Sequence, residues 1–382
     1  VKKGILIFTF LPLLIIAQQR KEVLFIGNSY TYVNNLPDLV KQIALSFGDS
    51  LIYDISTPGG ATFNTHTNNP QTLAKINQQQ WDYVVLQAQS QEPSFSPGQV
   101  ANDTYPYAEI LVDSIHANSS CTEPLFFMTW GRKYGDQQNC QVYPPICTYL
   151  GMQQRLRKSY LEMAFNDSAS CAPVGMAWKS SIAIDSMLNL YSPDNSHPSV
   201  YGTYLSACTF YASIFKNSPL GTTYIPNGID TVTASFLQDI ASNTVLDSLS
   251  IWNIFNADFT YNQIGDSVSF MNLSSNYESV VWDFGDGQVS IDENPLHTYD
   301  FPGTYTVTLS VFTNDSCVSE TVSSEINLSF STSIPTINVE KKIIRITDIL
   351  GRKTLYNFNL NIIKLFFVFI GNNNFFSFKF IF

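Results

Sequence analysis

Three residues have the types and spacing to do chemistry. Ser29 follows the apolar run Val23-Leu24-Phe25-Ile26 and the pair Gly27-Asn28, where a buried strand gives way to a turn. Asp194 and His197 stand three residues apart in Asp194-Asn195-Ser196-His197-Pro198, just ahead of a helical stretch over 199–215. A serine hydroxyl becomes a nucleophile only when a base takes its proton, and that base must be oriented by a third group. Asp and His on one tight turn meet the second need locally: the carboxylate takes one ring nitrogen and leaves the other for the serine. The competing reading makes Asp194 the cap of the following helix. The chain has only four histidines. His66 sits in a loop with no partner in sequence, His116 on a helical segment and His297 in a different kind of sequence, so His197 has almost no competitor as base.

These residues need a scaffold, and the pattern between 21 and 215 supplies one. Short apolar strands alternate with helical segments at 36–47, 105–117 and 149–165, and a further helical pattern covers 232–245. That alternation predicts a parallel sheet covered by helices on both faces, with Ser29 at its carboxyl edge, where open α/β folds place ligands. Other strand ends point to the same edge. Leu51-Ile52-Tyr53-Asp54-Ile55 leads into Thr57-Pro58-Gly59-Gly60, and Tyr83-Val84-Val85-Leu86 into Gln87-Ala88-Gln89-Ser90-Gln91-Glu92. Phe126-Phe127-Met128-Thr129 runs into Trp130-Gly131-Arg132. Trp130 and Arg132 offer an aromatic face and a planar cation, which suit polyols and carboxylates; a core tryptophan and a solvated arginine are the alternative.

Gly27-Asn28-Ser29-Tyr30-Thr31 together with Asp194-x-x-His197-Pro198 resembles the GDSL/SGNH hydrolase superfamily of esterases, lipases and carbohydrate deacetylases, over roughly 21–252. The resemblance implies an α/β fold with a flavodoxin-like three-layer parallel sheet. It makes Ser29 the nucleophile, His197 the general base and acid, and Asp194 its partner. It also implies an oxyanion hole from the N–H groups of Ser29 and Gly60 (Gly59 second) and a side-chain amide. The superfamily's Gly-x-Asn-Asp block is absent after the third strand. A glutamine replaces it, Gln87 at the strand end first and Gln89 second, in a run similar to the Gln-Gly-Glu segment of sialate O-acetylesterase-like enzymes. The expected activity is hydrolysis of a short acyl ester, acetyl above all, on a small molecule or polysaccharide, with no cofactor and no metal. A non-catalytic surface or glycan-binding protein on the same scaffold is the alternative.

From about 256 the pattern changes to alternating β residues. Trp282-Asp283-Phe284-Gly285-Asp286-Gly287, with Pro295-x-His297-x-Tyr299 and Gly303-Thr304-Tyr305 downstream, resembles the PKD domain, an immunoglobulin-like all-β sandwich, over 256–330. Asp283 and Asp286 are expected to stabilise turns rather than to bind calcium. Ile346-Thr347-Asp348-Ile349-Leu350-Gly351-Arg352 resembles part of the type IX secretion sorting domain of Bacteroidetes. On that reading 331–382 is a partial or truncated sorting segment.

Composition narrows the setting. A net charge of −11 leaves nothing to neutralise phosphates and argues against nucleic acid as partner. Lys2-Lys3, the apolar run from Ile5 to Ile16 and Ala17 read as a signal peptide over 1–19, too short to span a bilayer, and no membrane span is expected after its removal. The chain is expected to be secreted or held at a bacterial cell surface. Export permits disulfides: Cys140 and Cys147 bracket a short loop, and Cys121 and Cys171 each precede a strand and are candidates for a second bridge. Cys208 lies in an apolar helix and reads as a buried thiol. No Cys/His spacing points to zinc, and no dinucleotide fingerprint or P-loop is present.

Overall fold

The computed structural model describes residues 18–313, 319–329, 345–347 and 353–355. The apolar run assigned to the signal peptide lies outside them.

The N-terminal domain runs β1 (Arg20–Ile26), α1 (Ser29–Tyr32), α2 (Leu36–Ser46), β2 (Ser50–Ser56), α3 (Phe63–Thr67), α4 (Pro70–Ile76), β3 (Tyr83–Leu86), α5 (Pro97–Asp103), α6 (Tyr105–Asn118), β4 (Glu123–Phe127), α7 (Tyr149–Asn166), β5 (Ser170–Ala172), α8 (Val174–Ile184), α9 (Val200–Phe215) and α10 (Thr231–Leu246). The five strands form one parallel sheet in the order β2-β1-β3-β4-β5. This is the doubly wound, flavodoxin-like order, and its chain reversal falls between β1 and β3.

Strands β1, β3 and β4 are buried on both faces because they are apolar at successive positions, whereas edge strand β2 leaves Ile52 and Ile55 exposed. Val23 and Phe25 of β1, Tyr83 and Val85 of β3, and Leu125 and Phe127 of β4 enter one core with α2, α8, α9 and α10. Their neighbours Leu24, Ile26, Val84, Leu86 and Phe126 enter the other, with Leu111 and Ile115 of α6 and Leu156 and Tyr160 of α7. Side chains of a strand alternate between faces, so one unbroken apolar run feeds two cores. Each such side chain contributes about 1.5–3 kcal/mol on burial. Phe25 meets Phe210 of α9 edge-on, with ring centroids 5.8 Å apart.

Helix α9 is buried from Gly202 to Phe215 despite its Ser and Thr content. The hydroxyls of Ser206, Thr209 and Ser213 donate to carbonyls one turn back, and Ser206 Oγ also accepts Trp178 Nε1–H of α8 at 3.3 Å. Ser199, not Asp194, caps this helix, its side chain accepting from Gly202 N–H, so Asp194 is left for its own loop. Cys140 and Cys147 are disulfide-bonded, Cα atoms 4.7 Å apart. Cys171 is a buried free thiol, and the expected Cys121–Cys171 bridge does not form; Cys208 is likewise free and buried.

The C-terminal sandwich comprises β6 (Phe259–Ile264), β7 (Ser267–Asn272), β8 (Ser279–Asp283), β9 (Val289–Ser290), β10 (Leu296–Thr298), β11 (Gly303–Phe312) and β12 (Ser319–Leu328). Its antiparallel sheets, β10-β7-β6 and β12-β11-β8-β9, enclose Trp282, Phe270 and Val307. Asp283 accepts from Gly285 N–H and Asp286 from Gln288 N–H, the turn-stabilising role. The second Asp286 oxygen lies 2.7 Å from His297 Nε2, and the imidazole stacks on Phe284 at 4.0 Å. Glu320 of β12 pairs with Lys216 at the end of α9. In a separate unit, β13 (Arg345–Thr347) pairs with β14 (Lys353–Leu355) antiparallel. The rest of the segment assigned to sorting lies outside the described residues.

Candidate functional site

The turn after β1 is fixed by groups from three other segments. Gly27 N–H continues the ladder to Ser56 C=O. Buried His66 lies with Nε2 2.9 Å from Gly27 C=O and Nδ1 3.0 Å from the Thr72 hydroxyl. A carbonyl can only accept, so the Nε2–H tautomer is held and Thr72 donates to Nδ1. Burial lowers the His66 pKa, partly opposed by the Gly27 contact, and so favours the neutral ring. Asn28 N–H and the Thr31 hydroxyl both donate to Gln87 Oε1 at 2.9 Å. Asn28 Nδ2 donates to Ala61 C=O, and its Oδ1 accepts Tyr30 N–H as the cap of α1. Gly27 tolerates no side chain: a Cβ there would lie 2.5 Å from Thr31 Oγ1 and 2.7 Å from Gln87 Oε1.

The result is a half-buried Ser29 as the first residue of α1. A helix's first N–H groups have no intrahelical acceptor, so Ser29 N–H is available beside its own hydroxyl. The Pro58-Gly59-Gly60-Ala61 turn closes through Ala61 N–H to Pro58 C=O, with Gly60 at φ +69°. That angle suits glycine at the third position of a type II turn. The Asn28–Ala61 hydrogen bond ties this turn to the Ser29 turn.

His197 Nε2 lies 2.8 Å from Ser29 Oγ, and His197 Nδ1 lies 2.5 Å from Asp194 Oδ2. Asp194 Oδ1 accepts the N–H groups of Ser196 and His197, both at 3.0 Å. Burial would raise the Asp194 pKa, but these hydrogen bonds, the His197 ring first among them, hold its carboxyl below the usual range. An ionised carboxylate only accepts, so Nδ1 carries the ring proton and the Nε2 lone pair faces the serine. The loop is braced by Ser192 N–H to His197 C=O, by the Tyr191–Pro198 bridge and by Lys133 N–H to Asn195 C=O. Asn195 turns it with φ 60°.

Aromatic rings set the angle of the imidazole. Tyr30 meets His197 edge-on at 5.3 Å, stacks on Trp130 at 4.7 Å, and Trp130 stacks on Trp178 at 4.0 Å. The Tyr30 hydroxyl bonds Ser196 Oγ at 2.6 Å, and Trp130 Nε1–H donates to Ser196 C=O at 3.0 Å. Trp130 is completely buried. It is a brace under the His197 loop and not a cleft-lining platform, because its two faces are spent on Tyr30 and Trp178.

Gln87 is also completely buried. Its carbonyl holds Asn28 and Thr31, and its amide nitrogen donates to Ala88 C=O. A side chain closed off from solvent, with both amide ends engaged inside the chain, is a strut under the serine turn; the oxyanion-donor role expected of Gln87 does not fit this geometry. Gln89 is half-buried. Its carbonyl accepts Gln91 N–H at 2.7 Å, while its amide nitrogen has one long contact, 3.4 Å to Gln91 Oε1. Arg132 lies at the same edge, its guanidinium 3.5 Å from Ser90 Oγ and 3.8 Å from Asp136.

This is an α/β domain with a serine, an imidazole and a carboxylate linked at the sheet's carboxyl edge. Its fold is that of a DUF4886 family protein from Bacteroides uniformis, with TM-score 0.52 and 18% identity over 59% of this chain and 95% of that one. Its structural neighbours also include a candidate SGNH hydrolase from Slackia heliotrinireducens, at TM-score 0.42 and 24% identity over 50% of this chain and 97% of that one. Residues 260–328 match the PKD domain family, and the C-terminal sandwich belongs to it. The PKD1 domain of the Vibrio cholerae metalloprotease PrtV is 38% identical over 19% of this chain and 93% of that one, with TM-score 0.18.

Proposed function

We propose that this protein is a serine ester hydrolase of the SGNH type, exported from a bacterial cell, acting on short acyl esters and above all on acetyl groups carried by carbohydrate. The observation that carries the reading is the unbroken chain from Ser29 Oγ through His197 to Asp194, at 2.8 and 2.5 Å. As Ser29 Oγ attacks the ester carbonyl carbon, its proton passes to His197 Nε2. The imidazolium is stabilised by Asp194, which stays ionised. The oxyanion accepts from Ser29 N–H, Gly60 N–H and the Gln89 amide, donors worth on the order of 3–4 kcal/mol each in such sites. Collapse breaks the bond to the alcohol oxygen, which leaves with the proton from His197. Water then attacks the acyl-enzyme, giving its proton to His197, and the carboxylic acid departs as Ser29 is restored. Attachment to a PKD domain, a module typical of extracellular proteins, supports the exported setting.

The test is direct. Purified protein is expected to hydrolyse p-nitrophenyl acetate, and folded Ser29→Ala is expected to lose this activity. A folded wild-type protein inert toward the ester would instead favour a glycan-binding role on the same scaffold.

A further inference from the structure

Arg132 has more hydrogen-bonding capacity than the described residues use. A guanidinium carries five N–H donors, and charge-assisted bonds to it normally close to about 2.7–2.9 Å. Arg132 reaches Ser90 Oγ at 3.5 Å and Asp136 Oδ1 at 3.8 Å, both long. Its Nε is buried and has no partner among the described residues. Asp136 is not short of donors: it accepts from Gln138 N–H and Asn139 N–H on one oxygen and from the amides of Gln91 and Asn139 on the other. Burial would raise the Asp136 pKa, yet those hydrogen bonds, with the Arg132 charge adding to them, hold its carboxyl below the usual range. The acid is thus saturated without the arginine.

A cation drawn partly out of water without a tight partner is costly, and Arg132 keeps only 22% of its side chain exposed. Its position makes that cost informative. Arg132 bonds Ser90, and two residues before it Trp130 stacks on Tyr30, whose hydroxyl bonds Ser196 between Asp194 and His197. The arginine's loop is tied to the His197 loop through Lys133 N–H and Asn195 C=O at 3.0 Å. The incomplete guanidinium is thus carried on a loop joined to the one that holds Asp194 and His197.

We propose that Arg132 is the specificity-determining residue of the site, receiving a carboxylate of the substrate in its planar fork, so that the ester hydrolysed is carried by an acidic sugar of the uronate type. The inference rests on the ester-hydrolase reading and names its substrate class.

The experiment compares two O-acetylated methyl glycosides that differ only at C6, a galacturonoside and a galactoside, with p-nitrophenyl acetate as a third substrate. Wild-type protein is expected to favour the acidic sugar by roughly 10- to 100-fold in kcat/KM, the range of a charge-assisted hydrogen bond. Added salt should erode the rate on the acid and leave the galactoside rate alone. Arg132→Gln should bring the ratio between the sugars close to one, and Arg132→Lys should keep part of it, having charge but no fork. Hydrolysis of p-nitrophenyl acetate with equal rates on the two sugars, or with neither sugar hydrolysed, overturns the inference and leaves the hydrolase reading standing. A ratio retained by folded Arg132→Gln overturns it as well. Inertness toward all three substrates removes the hydrolase reading and this inference with it.

Discussion

Replacing Gln87 by methionine separates a strut from an oxyanion donor. Methionine has similar length and no hydrogen-bonding carbonyl, so Asn28 N–H and the Thr31 hydroxyl lose the acceptor they share at 2.9 Å. Both residues are buried. A buried polar group left unpaired costs on the order of 1–3 kcal/mol, and two of them give about 2–5 kcal/mol once partial relaxation is allowed. For a domain of this size each kcal/mol lowers Tm by about 2–4 °C, so the expected fall is roughly 5–15 °C. The assay is thermal unfolding by near-UV circular dichroism alongside kcat for p-nitrophenyl acetate. Gln87→Met should lose stability and activity together, because the turn it holds carries Ser29. The parallel variant Gln89→Ala should keep its Tm and lower kcat by about a hundredfold, the effect of losing one oxyanion donor. An unchanged Tm with a hundredfold fall in kcat for Gln87→Met, and full activity for Gln89→Ala, would refute this assignment.

Two further outcomes are expected. His197→Ala and Asp194→Asn should each cut kcat/KM by several orders of magnitude, and the double variant should be little worse than His197→Ala alone, since both serve one proton transfer; additive losses would argue that the residues act separately. Burial pushes the Glu123 pKa up to about 7 from an ordinary 4.5, so the folded state holds this proton more tightly than the unfolded chain. Its contribution to stability is present below about 4.5 and is lost as pH rises through about 7. Glu123→Gln should therefore gain stability relative to wild type across that interval and hold the gain above it; urea titrations at pH 5 and 8 with the same difference at both would contradict this.

Much of the fold was legible because its signals are local. The helical patterns at 36–47, 105–117, 149–165 and 232–245 match α2, α6, α7 and α10 to within a residue or two. The strands' apolar runs announced burial on both faces. Asp194 and His197 could be paired from the sequence because one turn holds both, and Ser29 because a strand stops abruptly before it. What was not legible depends on partners distant in sequence. Gln87 meets Asn28 across 59 positions, His66 meets Gly27 across 39, and Trp130 meets Ser196 across 66. A glutamine at a strand end has the same local appearance whether its amide opens to a cleft or closes under a turn. Trp130 follows a strand at the ligand-binding edge, yet its ring is folded back between Tyr30 and Trp178. Cys121 and Cys171, each expected to precede a strand, met the sequence requirement for a bridge, but Cys171 lies within β5, enclosed in the core as a free thiol.

The most direct measurement is covalent. Wild-type protein and the Ser29→Ala and His197→Ala variants would be treated with a fluorophosphonate, and the adducts located by peptide mass spectrometry. A single adduct on Ser29 in the wild type, absent from Ser29→Ala and strongly slowed in His197→Ala, is the predicted result. A folded wild-type protein that remains unlabelled, or one labelled equally fast without His197, would contradict an activated serine at this site.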